Sequence, residues 1–136
     1  TNQSSLSRSI INIEQYIEIS QEFLSKLTPD LYPDFILSSF HLPNSKKSGY
    51  NWRKPDLGMF RFMIDNLSYS PNQCIMFGDK LSDLIPAYKI GISKLNYIES
   101  PLHKEELEKI TQWHLTINKS VNLIFSNQLN EHLLDQ

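Results

Sequence analysis

Cysteine is nearly absent from the sequence: Cys74 stands alone among 136 residues. That excludes a disulfide framework and makes a reducing compartment the natural one, with Cys74 read as a small core residue. No run approaches the ~20 apolar residues of a membrane span, and no basic start followed by an apolar stretch marks a secretion leader. A basic excess is missing too: 13 Lys and Arg stand against 15 Asp and Glu, a net charge of −2. Such a balance argues against a phosphate-backbone partner. Internal repeats and low-complexity tracts are also lacking. The expectation is a soluble cytoplasmic protein with neither a membrane nor a nucleic-acid partner. The first residue is Thr1 rather than Met, so an original N-terminus is expected to be missing.

What is present is an ordinary apolar fraction of 40%, enough for one core and one domain over residues 1–136. Ile13, Tyr16, Ile17, Phe23, Leu24 and Leu27 fall on one helical face, predicting a helix from Asn12 to Leu27 that Asn12 caps and Thr28-Pro29-Asp30 stops. Phe35 to Ser38 reads as a short buried strand, and His41 to Trp52 as a polar loop. Pro55 opens a second helix with Leu57, Phe60, Met63, Ile64 and Leu67 on one face. Cys74 to Phe77 is a further buried strand, Ser82 to Ile90 a helix, and Ile92 to Ile98 a strand. Beyond Pro101 the pattern gives a helix from His103 to Ile110, a strand from Trp113 to Ile117 and a last helix from Ser120 to Leu134. Strands alternating with helices predict an α/β fold of Rossmann-like type, a mostly parallel sheet with helices on both faces. Ligands of such sheets sit beyond the carboxyl ends of the strands.

Three segments carry chemistry there. Gly78-Asp79-Lys80-Leu81-Ser82-Asp83 follows a strand. A carboxylate on that turn suits Mg²⁺, which takes hard oxygen ligands and brings phosphate with it. Lys80 offers charge to the phosphate, and Asp83 can orient the loop; otherwise Asp83 simply meets the dipole of the following helix. Arg53-Lys54-Pro55 closes the polar loop. A guanidinium beside an ammonium fits a phosphorylated ligand and fits equally a pair of solvated surface charges. Thr1-Asn2-Gln3-Ser4 supplies uncharged donors for phosphate oxygens, or is a frayed polar terminus.

In that order the segments resemble the haloacid dehalogenase (HAD) superfamily of phosphatases, in its heptose-bisphosphate and histidinol phosphatase branch. The similarity is densest over residues 53–59 and 76–83. Thr1-Asn2-Gln3-Ser4-Ser5-Leu6-Ser7-Arg8 is also similar to a run of that branch. The resemblance implies a HAD-like phosphatase domain with Mg²⁺ as cofactor and a phosphorylated sugar as substrate. It implies that Thr1 holds phosphoryl oxygens, Lys54 neutralises the phosphoryl group and the attacking carboxylate, and Asp79 ligates the metal. Asn2, Gln3, Ser4, Arg53 and Lys80 would contact substrate, with Asp83 behind the loop.

Two departures qualify it. The family's nucleophile lies in an Asp-x-Asp pair on its first strand, which is central in the sheet. The aspartates here are Asp30, Asp34, Asp56, Asp65, Asp79, Asp83 and Asp135, and no two are separated by a single residue. The domain is therefore expected to be N-terminally incomplete and inactive alone. Many members of the branch also hold structural zinc before Arg-Lys-Pro. Ser39, Tyr50 and Trp52 stand at or near the cysteine positions and only His41 remains, so no zinc is expected. Three alternatives stay open: a histidinol-phosphate phosphatase, a phosphatase of DNA 3′ ends, and a non-catalytic phospholigand-binding pseudoenzyme.

Overall fold

The computed structural model describes residues 1–42, 51–117 and 120–126. The chain divides into two compact units, Thr1–Arg53 and Lys54–Gln136.

In the first unit the one long element among the described residues is α1 (Ile13–Ser25). Asn12 and Gln15 exchange hydrogen bonds as a capping box: the Gln15 N–H donates to Asn12 Oδ1 (2.8 Å), and the Asn12 N–H to Gln15 Oε1 (2.9 Å). Two free amides at the helix start are thereby satisfied. The predicted strand at Phe35–Ser38 does not form. Only an isolated parallel bridge joins Asn2 and Ser39, with the Ser39 N–H donating to Thr1 O (2.8 Å) and the Gln3 N–H to Ser39 O (2.7 Å). The apolar run was legible; the buried partner it needed is not among these residues, and Phe35 and Ile36 stay exposed.

The second unit contains α2 (Gly58–Leu67), β1 (Ile75–Gly78), α3 (Leu81–Lys89), β2 (Lys94–Ile98), α4 (Glu105–His114) and β3 (Asn122–Ser126). The three strands form one sheet in the order β1-β2-β3, both pairs parallel. Alternation puts Met76, Leu95 and Leu123 in one row across the sheet. Phe60, Leu84, Ala87, Ile92 and Ile110 complete a continuous core around Leu95, Tyr97 and Leu123. Cys74, expected in the core, is half-buried against it.

Two expectations at the C-terminal end fail. Trp113 lies in the last turn of α4 rather than starting a strand, because it packs edge-on against Tyr88 (5.7 Å between ring centres) and against the core. Packing overrides its β propensity. Residues 122–126 form β3 rather than a helix. A short apolar run cannot be assigned by periodicity alone, and here residue-for-residue pairing with β2 decides it. Ser120 and Val121 precede the strand as a turn and a bend, and residues 127–134 of that predicted helix lie outside the described residues. Among those described, no helix is long and apolar enough to cross a membrane.

Candidate functional site

The candidate site of the second unit lies at the carboxyl end of β1. The strand ends at Gly78, and the chain passes through Asp79 and Lys80 directly into α3. Gly78 is required by close approach: a Cβ there would lie 2.6 Å from the Cβ of Asp83. That space admits Asp83, which is buried in α3 and forms an ion pair with the Lys54 ammonium. Lys54 is largely buried as well and precedes Pro55 through a cis peptide. Asp83 therefore does more than meet a helix dipole, since it fixes the amine that the sequence marks for a phosphate.

Asp79 is different, its side chain 41% exposed and its Oδ2 3.7 Å from His103 Nε2. Lys80 caps α3 with extended backbone and no side-chain hydrogen bond to the helix. The carboxylate of Glu106 on α4 takes that role, its Oε2 accepting the Leu81 N–H at 2.8 Å. Burial pushes the Glu106 carboxyl up. The Lys109 ammonium (2.6 Å), the Leu81 amide and the charge of Lys80 outweigh burial and hold it below its ordinary value.

Whether these residues fit a metal ion depends on the donor set. No group of three or more His, Cys, Asp or Glu side chains that could hold a metal occurs among the described residues, so no all-protein cage is present there. Asp79 offers an accessible carboxylate at the end of a half-buried strand. That donor fits Mg²⁺, which is bound through one or two carboxylates together with water and substrate phosphate.

The remaining sequence-marked residues lie in the first unit. The Thr1 amine donates to Leu37 O, and Gln3 Nε2 donates to Thr1 Oγ1 (3.3 Å). Asn2 forms the bridge to Ser39, and Ser4 O accepts the Arg8 N–H (3.1 Å). Arg53 Nη1 donates to His41 O (3.1 Å). Ser39 is buried with its hydroxyl 3.4 Å from His41 Nδ1, while Tyr50 lies outside the described residues. Thr1 and Gln3 also edge a cavity of about 700 Å³ lined by Ile11, Tyr16, Ile19 and Phe23. Its apolar walls do not suit a phosphate. Sequence reasoning missed His103 and Glu106, because an isolated histidine and one acid among three in a helix's first turn carry no distinguishing pattern.

Asp79 and the Lys54–Asp83 ion pair thus stand around the turn that follows a parallel strand, and comparison with known proteins gives the class of the chain. Residues 51–118 match the HAD-hydrolase-like family. The chain belongs to the HAD superfamily, in its phosphatase branch. It is similar to the D-glycero-beta-D-manno-heptose-1,7-bisphosphate 7-phosphatase of Haemophilus ducreyi, with 32% identity over 97 residues, covering 68% of this chain and 53% of that protein. The chain thus spans about half the length of that curated relative. No solved structure matches it.

Proposed function

We propose that the chain is the metal- and phosphate-holding part of a cytoplasmic, Mg²⁺-dependent phosphatase acting on a phosphorylated sugar of the heptose 1,7-bisphosphate type. The observation that carries this reading is the pairing of an accessible Asp79 after β1 with a Lys54 ammonium anchored by buried Asp83. Phosphoryl transfer is catalysed chiefly by positioning and by charge placed where negative charge develops. Mg²⁺, when bound, would supply Lewis-acid polarisation of the phosphoryl oxygens. Asp79 would hold it. Lys54 would neutralise the phosphoryl group, Lys80 and Arg53 would bind the substrate's charged end, and Thr1, Asn2, Gln3 and Ser4 would donate to its oxygens.

In this reading none of these residues acts as the nucleophile. We place that role on an Asp-x-Asp strand ahead of Thr1. The lack of such a pair in the 136 residues supports this, as does the outer edge of β1, which pairs with no strand among the described residues. The same lack favours the second reading, a non-catalytic binder of phosphorylated ligands. Phosphate release by the full-length protein decides between them. With Mg²⁺ and D-glycero-β-D-manno-heptose 1,7-bisphosphate, the wild type should turn over. Asp79→Asn should lose on the order of a hundredfold or more, the scale of removing one transition-state donor. A wild type that binds the bisphosphate without releasing phosphate is the pseudoenzyme; preference for histidinol phosphate moves the substrate to the branch's other member.

A further inference from the structure

A loop that presents a metal ligand has to be held, because an exposed carboxylate samples several rotamers and a loosely held one loses affinity. The Asp79-Lys80-Leu81 connection is held from outside its own elements. His103 Nε2 stands 3.7 Å from Asp79 Oδ2, and Glu106 Oε2 accepts the Leu81 N–H at 2.8 Å. Both side chains come from one short stretch, the entry to α4 and its first turn, linked by the Glu106 N–H donating to His103 O at 3.0 Å. Glu106 is itself pinned. Its side chain is 12% exposed, and its other oxygen, Oε1, binds Lys109 Nζ at 2.6 Å. Glu106 thus hydrogen-bonds the loop after Lys80, while His103 stands beside the carboxylate before it, beyond hydrogen-bond distance and within ion-pair range.

We infer that the entry to α4 is a positioning element for the candidate metal loop, with His103 steadying the Asp79 carboxylate and Glu106 fixing the Leu81 amide. This rests on the reading of Asp79 as a metal ligand. Neither residue touches substrate in this account. Both act through Asp79 and Lys80, so a change in either should appear first in metal affinity. A plain helix-capping role for Glu106 would leave metal affinity untouched.

The test titrates the full-length protein with Mn²⁺, a spectroscopic stand-in for Mg²⁺, and reads the dissociation constant by electron paramagnetic resonance, with thermal melting recorded alongside. His103→Ala and Glu106→Ala should each weaken Mn²⁺ binding about tenfold or more, the range for partners that orient a metal ligand. Glu106→Gln keeps an acceptor for the Leu81 N–H and should stay near wild type. Should Glu106→Ala not fold, His103→Ala and Glu106→Gln still decide the matter, since His103 is not a member of the buried core cluster. Unchanged Mn²⁺ affinity in a folded His103→Ala, or in Glu106→Ala despite faster Leu81 amide exchange, overturns the inference and leaves the phosphatase reading standing. A wild type that binds Mn²⁺ through these residues but releases no phosphate overturns the phosphatase reading alone. Absence of Mn²⁺ binding by the wild type overturns both.

Discussion

The two units of the chain use similar sequence material to different ends. Unit Lys54–Gln136 turns its apolar residues into a core in which Leu84, Leu95 and Ile110 are wholly buried. In unit Thr1–Arg53, α1 is amphipathic and well capped, yet no residue of the helix is buried. Ile17, Phe23, Phe35 and Ile36 are all exposed. Local signals suffice to make a helix; only tertiary partners make a core. The chemistry divides the same way. Lys54 and Asp83 are locked together by packing, while Thr1 and Gln3 rest on hydrogen bonds within an exposed segment.

The comparison breaks first, if it breaks, at the buried ion pair. Asp83→Ala removes the carboxylate partner of Lys54 from a site where the two side chains are 8% and 18% exposed. The loss should be about 3 kcal/mol, the low end for breaking a buried pair because the amine retains some contact with water. Urea denaturation monitored on the second unit reads it directly, and a change below 1 kcal/mol would mean that the pair anchors nothing.

Matched truncations sharpen the contrast between the units. Leu84→Ala should cost ~2–5 kcal/mol, as expected where a buried leucine leaves a cavity. Ile17→Ala on α1 should stay within about 0.5 kcal/mol, because its side chain already faces water. Equal losses in the two variants would show that α1 is covered by a surface this comparison assigns to solvent.

The smallest effect concerns a polar atom inside the second unit's core. Tyr97 is 1% exposed, and its hydroxyl has no hydrogen-bond partner among the described residues. Burial raises its pKa above the ordinary value, and the charges of Glu99, Glu106, Asp79 and Glu105 add to the shift. Tyr97→Phe removes an unpaired O–H and should leave stability unchanged or raise it by ~1 kcal/mol. The variant should also lose any fall in stability above about pH 10, where unfolded tyrosine ionises and the buried phenol does not. A clear destabilisation by thermal melting would reveal a partner for the hydroxyl.

Much of this was legible in sequence because the signals were local. Asn12 sets the start of α1, which ends at Ser25 rather than at the expected Leu27, and the run from Cys74 into Gly78-Asp79 marked β1 and its turn. The motif residues are close in sequence: Asp79 and Lys80 form the strand-to-helix connection, and Asp83 lies in the first turn of α3. The failures were all long-range. Phe35–Ser38 looked like a strand but lacks a sheet, and Asn122–Ser126 looked helical until β2 claimed it. His103 and Glu106 reach the site only because the fold brings α4 to the start of α3. No spacing in the sequence encodes that approach.

We propose that these 136 residues hold a phosphoryl group and its metal but do not attack it. A phosphate-release assay with Mg²⁺ and the heptose bisphosphate, run side by side on this chain and on the same chain extended by an Asp-x-Asp segment, tests it most directly. No turnover is expected from the chain alone, and turnover once the segment is supplied, in cis or as a second fragment. Robust phosphate release by the 136 residues alone would place a nucleophile within them and contradict the mechanism.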